Sequence, residues 1–283
     1  MKVLILGSKG QLGTALKNLF EQKKISYDGV DLPDFDITNK DNLFETIEKS
    51  KSDIIINSAA YTNVKSAEKE FEKAVSINAI ALKSLAEICN KENISLCHIS
   101  TDYVFDGTMR EPYIEEDRTN PLNCYGLSKE LGEKIIKNYC KDFVIVRTAA
   151  LYGNSKLKSE NVVDKIVQFA QSNNEISLVT DEFTTPTYAV DLAQQIYQIL
   201  RSKISGIVHA TCEGECNWKE FGEFIFKTLE IKVRIKSVNS RSYSKDLKKP
   251  IYSVLENSRL KEMNKNIMPH WKISLEKYLN KNY

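Results

Sequence analysis

The chain reads as an α/β protein built on a doubly wound parallel sheet, and three observations predict it. Short apolar runs alternate with amphipathic helical segments through the first 150 residues. Four of these runs are apolar and β-branched across their full width, as strands buried on both faces must be. A glycine cluster follows the first run directly. Sheets of this kind bind ligands beyond the carboxyl ends of their strands.

In chain order, Val3-Leu4-Ile5-Leu6 is the first strand, and Gly7 breaks it. From Gln11 to Gln22, the residues Leu12, Leu16, Leu19 and Phe20 recur at helical spacing. A second strand at 27–30 ends on Asp31. The alternation continues with a helix over 40–49, a strand over 53–57, a helix over 68–90 and a strand over 95–100. A helix over 125–139 and a strand over 143–147 complete the first unit. After Gly153 the rhythm loosens into a polar stretch over 154–161, helices over 162–171 and 190–200, a turn at 181–186 and a strand over 207–211. The expected organisation is a dinucleotide-binding domain over 1–150 and a smaller substrate-binding lobe over 151–283. Segments near 190–212 return to the first domain, so the lobes interleave.

Composition excludes several functions. The 283 residues are 42% hydrophobic and 28% charged, which suits one large or two intergrown globular units. Forty basic against thirty-eight acidic side chains leave a net charge of +2, too little to hold nucleic acid or an anionic membrane. No apolar run approaches the ~20 residues of a membrane span. The apolar start is too short for a signal peptide, so a cytoplasmic setting is expected. Six scattered cysteines fit reduced thiols. Cys212 and Cys216 with His209 match no zinc spacing, and no metal is expected.

Three clusters bear chemistry. Gly7-Ser8-Lys9-Gly10-Gln11-Leu12-Gly13 lies between the first strand and the first helix, where close backbone approach and free helix N–H groups stabilise a pyrophosphate. Asp31, at the end of the second strand, is placed to accept hydrogen bonds from a ribose 2′-hydroxyl and to repel a 2′-phosphate, which leans the cofactor toward NADH over NADPH. Tyr125 and Lys129 stand four apart on one helix face. There a neighbouring ammonium is expected to bring the phenol's pKa down toward the working range, making Tyr125 a general acid. Thr101 ends the fourth strand and points a hydroxyl toward the same crevice, either to bind a carbonyl oxygen or simply to cap its loop.

Together with Asn57-Ser58-Ala59-Ala60-Tyr61-Thr62, Ser100 to Gly107 and Arg147-Thr148-Ala149, these clusters resemble the extended short-chain dehydrogenases/reductases, a Rossmann-fold family. Within it the chain is similar to the dTDP-4-dehydrorhamnose reductases. The resemblance spans the sequence and implies NADH- or NADPH-dependent reduction of the 4-keto group of a nucleotide-linked 6-deoxyhexose. It implies Tyr125 as proton donor, Lys129 on the nicotinamide ribose and Thr101 on the ketone oxygen. Gly7, Gly10, Gln11, Leu12, Gly13, Asp31, Asp36, Ile37, Ala59, Ala60 and Tyr61 would contact the cofactor. Thr62, Val64, Asp102 and Ala150 would face the sugar nucleotide. Partners would be that substrate and, at most, a second copy in a homodimer.

Three departures fall on the substrate side. Ala150 replaces the family's tryptophan, Lys65 reverses a charge after Thr62-Asn63-Val64, and Glu182 stands in Asp181-Glu182-Phe183-Thr184, where negative charge opposes a diphosphate. A reductase or epimerase acting on a UDP-, CDP- or GDP-linked sugar is therefore the alternative. A non-catalytic dinucleotide-binding subunit is a third reading, which the joint presence of Thr101, Tyr125 and Lys129 argues against.

Overall fold

The computed structural model describes residues 1–157, 161–243 and 247–283. Its centre is a six-stranded, wholly parallel sheet. Five strands come from the first half: β1 (Lys2–Leu6), β2 (Ser26–Val30), β3 (Ile54–Asn57), β4 (Ser95–Thr101) and β5 (Phe143–Thr148). The sixth, Gly206–His209, lies beside β5, giving the order Gly206–His209, β5, β4, β3, β1, β2. The apolar runs become strands because both faces are covered: Val3, Leu4, Ile5 and Leu6 are all fully buried. On one face, Leu12, Leu16, Leu19 and Phe20 of helix α1 (Gln11–Gln22) pack with Leu192, Ile196 and Ile199 of the helix Ala189–Arg201. Leu43 and Ile47 of α2 (Lys40–Ser50), Leu82 and Leu85 of the helix Ala81–Glu92, and Ile136 of the helix Cys124–Tyr139 cover the other.

A separate core lies in the second half. Val163 and Val167 of the helix Val162–Ser172, Phe221 and Ile225 of the helix Trp218–Thr228, and Leu275 of the helix Trp271–Asn282 pack with Tyr152 and Tyr188. The strand Arg234–Val238 runs parallel to Glu175–Val179 on its flank. The sequence did not signal that pair, since the alternation Arg234, Lys236 and Lys-rich surroundings reads as a solvated face.

The expected helix over 68–90 is interrupted. Helical segments Val64–Ala67 and Phe71–Val75 lead into a π-helical turn, Ser76–Ile80, before Ala81–Glu92. The widened turn holds Asn78, whose carboxamide oxygen accepts from the Tyr61 N–H at 2.8 Å while its nitrogen donates to the Tyr61 carbonyl and to Ser128 Oγ. Such turns arise where a side chain has to be redirected from the regular helical ladder. Asn78 thereby fastens the Tyr61 loop to the helix that bears Tyr125 and Lys129. The two backbones meet at Gly132, where a Cβ would stand 2.2 Å from the Asn78 carbonyl oxygen. Gly132→Ala is expected to cost about 1–3 kcal/mol through this overpacking, measured as a lower urea midpoint at unchanged slope.

Candidate active site

The sheet order reverses between β1 and β3, and a cleft of about 400 Å³ opens over the carboxyl ends of β1, β3, β4 and β5. Its first wall is the glycine loop. Gly13 lets α1 sit directly on β1, because a Cβ there would lie 2.2 Å from the Gly7 carbonyl oxygen. The N-cap Gly10 provides no side-chain cap, and the first turn of α1 has no acidic residue. Its N–H groups and helix dipole are thus free to receive an anion. Gln11 Oε1 and Thr148 Oγ1, both from cleft residues, are buried without a hydrogen-bond partner. Open anion-binding backbone and unspent polar atoms along one crevice fit a dinucleotide.

Asp31 lines the far end of this wall. Its Oδ2 accepts from the Lys9 backbone N–H and its Oδ1 from that of Leu32, both at 2.8 Å. The Lys9 ammonium lies nearby, donating to the Leu32 carbonyl at 2.6 Å. Part of the negative field that was expected to repel a 2′-phosphate is therefore spent on the carboxylate's own loop.

The chemical end lies where β4 stops. Asn123 caps the helix Cys124–Tyr139 by accepting from the Gly126 N–H at 2.8 Å, which places Tyr125 in the first turn and Lys129 one turn on. The Thr101 hydroxyl lies near enough to the Tyr125 phenol to lower its pKa, and both residues line the cleft. Thr101 Oγ1 in turn donates to Asp102 Oδ1 at 3.0 Å. The rings of Tyr103 and Tyr125 meet edge to face, with centroids 5.9 Å apart and planes at 74°.

Desolvation governs the acid–base character of these groups. Although the Tyr125 ring is half-buried, burial of its phenol pushes the pKa up to about 12, against the lowering contact with Thr101, and the Asp102 charge raises it further. Burial brings Lys129 down to about 8, with Glu133 opposing. The expected lowering of the phenol by Lys129 is thus not found in the chain itself: Lys129 Nζ donates instead to the Ile99 carbonyl at 2.7 Å, and burial outweighs it. For a proton donor this is useful, since the phenol keeps its proton at neutral pH. Asp102 is pushed up to about 6 by burial, despite hydrogen bonds from Ser253 and Thr101 that lower it.

Of the residues singled out in the sequence, Gly7, Gly10, Gln11, Leu12, Gly13, Asp31, Ala59, Ala60, Thr62, Thr101, Asp102, Tyr125, Lys129 and Ala150 line this one cleft. Four do not. Ile37 is packed into the core under α2, and Asp36 binds the backbone N–H and hydroxyl of Thr38. Tyr61 is turned toward Lys73, and Val64 opens its short helix. The structure adds Ser58, Ser100, Thr148, Leu151, Ser155 and Leu157. Thr148 was visible in the Arg147-Thr148-Ala149 run. Ser155 and Leu157 had no signal, because they reach the cleft only through the fold of their loop, in which Ser155 Oγ donates to the Lys9 carbonyl at 3.0 Å.

The departures are accommodated locally. Glu182 accepts from Trp218 Nε1 at 3.2 Å and lies 3.8 Å from the Lys249 ammonium, so its charge is partnered within the second lobe. Ala150 adopts φ 41° at the cleft wall. Phe183 and Tyr252 pair their rings 6.3 Å apart, and the intervening backbone sets Ser253 against Asp102. Among the described residues no group of three or more His, Cys, Asp or Glu could hold a metal, and no helix is long and apolar enough to cross a membrane.

Comparison with known proteins gives the same picture across the whole length. The family described as RmlD substrate binding domain matches residues 1–283. The spore coat polysaccharide biosynthesis protein SpsK of Bacillus subtilis is 34% identical over 279 residues, covering 98% of this chain and 96% of that one. A crystal structure of a dTDP-4-dehydrorhamnose reductase from Clostridium acetobutylicum superposes with a TM-score of 0.95 at 36% identity, covering 99% of each chain. The dTDP-4-dehydrorhamnose reductase of Bacillus anthracis, solved in complex with NADP, follows at 0.94 and 33%, again over 99% of each chain.

The raised pKa of Asp102 has a consequence for stability. A carboxyl whose pKa is higher folded than unfolded stabilises the fold below its unfolded value, and that contribution is lost as pH rises to the folded value near 6. Asp102→Asn removes the loss. It is expected to raise stability at neutral pH by up to about 3 kcal/mol, with no gain below about pH 4, as read from urea unfolding at the two pH values.

Proposed function

The chain belongs to the RmlD substrate-binding domain family, and from that premise we propose that it catalyses the NADPH- or NADH-dependent reduction of dTDP-4-dehydrorhamnose to dTDP-rhamnose. The Clostridium acetobutylicum and Bacillus anthracis relatives bear the name of this activity, and the latter binds NADP. The observation that carries the reading is the meeting of the Tyr125 phenol with the Thr101 hydroxyl in the cleft that Lys129 and the glycine loop also line.

A reduced nicotinamide, when bound, supplies the hydride. The N–H groups at the start of α1, from Gly10 to Leu12, would hold the pyrophosphate, and Asp31 would meet the adenosine ribose. Ala59 and Ala60 would complete the cofactor side, with Lys129 donating to the nicotinamide ribose. As the ketone carbon is reduced, charge develops on its oxygen. Tyr125 gives up its proton to that oxygen, and the Thr101 hydroxyl, released from Asp102, donates a second hydrogen bond. The new C–O–H group takes the proton that leaves the phenol. Thr62, Asp102 and Ala150 would face the sugar nucleotide, with residues 151–283 as the substrate lobe and 190–212 belonging to the dinucleotide-binding domain of 1–150.

In a coupled assay with enzymatically made dTDP-4-dehydrorhamnose, the chain is expected to oxidise NADPH or NADH. Tyr125→Phe should lower kcat by about 10²–10⁴-fold while the cofactor Kd moves by less than about tenfold. Full turnover in that variant would refute the proton-donor assignment. Reduction of a UDP-, CDP- or GDP-linked keto sugar in preference to the dTDP one would refute the substrate.

A further inference from the structure

One hydroxyl of the cleft takes no part in the proton transfer. Thr148 ends β5 directly beside Thr101 at the end of β4: the two are Cα partners in the parallel ladder, on strands about 4.8 Å apart. Both residues line the cleft, and each is only 6% exposed. Thr148 continues the face of β5 on which Val144 and Val146 pack with helix α1, so it stands on the side of the sheet where the glycine loop opens that helix. Its Oγ1 is buried without a hydrogen-bond partner.

The two hydroxyls next to it on β4 are committed. Thr101 Oγ1 donates to Asp102 Oδ1 and accepts from the Tyr103 N–H at 3.2 Å, while Ser100 Oγ donates to Glu133 Oε1 at 2.5 Å. Gln11 Oε1, the other unpartnered atom of the cleft, belongs to the first turn of α1 and so to the pyrophosphate end. A buried hydroxyl without a partner destabilises the chain by itself, because it has given up water and made no bond in exchange. A ligand that brings a polar group to Thr148 removes that cost.

We propose that the Thr148 hydroxyl binds the carboxamide of the nicotinamide ring. The ring has one hydrogen-bonding substituent, and it sits on the carbon next to the one that gives up hydride. With the ketone oxygen at Tyr125 and Thr101, that carboxamide comes within about one strand spacing of Thr101, which is where Thr148 stands. A carboxamide carries both a carbonyl acceptor and an NH₂ donor, and a hydroxyl can match either. The contact also fixes the ring's face. Turning the ring over about its bond to the ribose carries the carboxamide to the opposite edge, away from Thr148, and leaves the hydroxyl unpartnered again. Thr148 therefore selects which side of the ring meets the ketone.

This inference rests on the nicotinamide-dependent function proposed above, but its test uses no keto sugar. Calorimetry measures the Kd of NADPH and NADH and, as probes that keep the phosphates and lack the ring, of ADP-ribose and its 2′-phosphate. Thr148→Val replaces the hydroxyl with a methyl group of similar shape at a strand position that suits β-branched residues, so its melting temperature should equal or exceed that of the unaltered chain. It should weaken NADPH and NADH about tenfold and leave the ringless probes within about twofold. Thr148→Ser, which keeps the hydroxyl, should bind both cofactors within about threefold of the unaltered chain. Unchanged cofactor affinity in Thr148→Val overturns the proposal, as does a loss shared by the ringless probes, a Thr148→Ser protein that binds as weakly as Thr148→Val, or a lower melting temperature in Thr148→Val. An unaltered chain that binds neither NADPH nor NADH refutes the function itself.

Discussion

Desolvation at the carboxyl end of β4 is the constraint on which the rest of the site depends. Within a few residues the chain places His98, Thr101 and Asp102 where helices and the second lobe exclude water, and brings Tyr125 and Lys129 to meet them. Each ionisable group there is driven toward its uncharged form: the phenol and the carboxyl upward, the ammonium and the imidazole downward. In water none of these shifts would arise. A site of groups that avoid charge suits a reaction in which a transient alkoxide has to be met by a ready proton and by hydrogen-bond donors.

The scaffold explains how such a costly arrangement persists. Parallel strands buried on both faces form the rigid layer, and the reversal of strand order opens a cleft where the glycine loop and the end of β4 lie together. Asn78 ties the Tyr61 loop to the helix that bears Tyr125 and Lys129, and Asn123 fixes where that helix starts. The second lobe closes the site through Ser253, which reaches Asp102 from a segment that also pairs with Phe183. One carboxyl group thus links the second lobe to the cleft that Tyr125 and Lys129 line.

Much of this was legible in the sequence because it is local. Strand, glycine turn and helix follow one another over residues 2–22, and the Tyr125/Lys129 spacing needs only helical periodicity. What could not be read depends on contacts between distant segments. Nothing near Asn78 announces a π turn, since its cause is the Tyr61 backbone and Gly132 more than 50 residues on. The direction of the Tyr125 shift was misjudged for a similar reason: spacing shows that an ammonium is near, but not that it is spent on Ile99 or how dry the phenol is. The partners of Glu182, Trp218 and Lys249, were likewise invisible until the second lobe folded.

Reduction at this cleft requires a ketone oxygen to sit between Tyr125 and Thr101. A crystal structure of the chain with NADP and dTDP-rhamnose tests this directly. It should place the sugar's C4 oxygen within about 3 Å of both the Tyr125 hydroxyl and Thr101 Oγ1. A sugar bound with that oxygen turned away from both groups would contradict it.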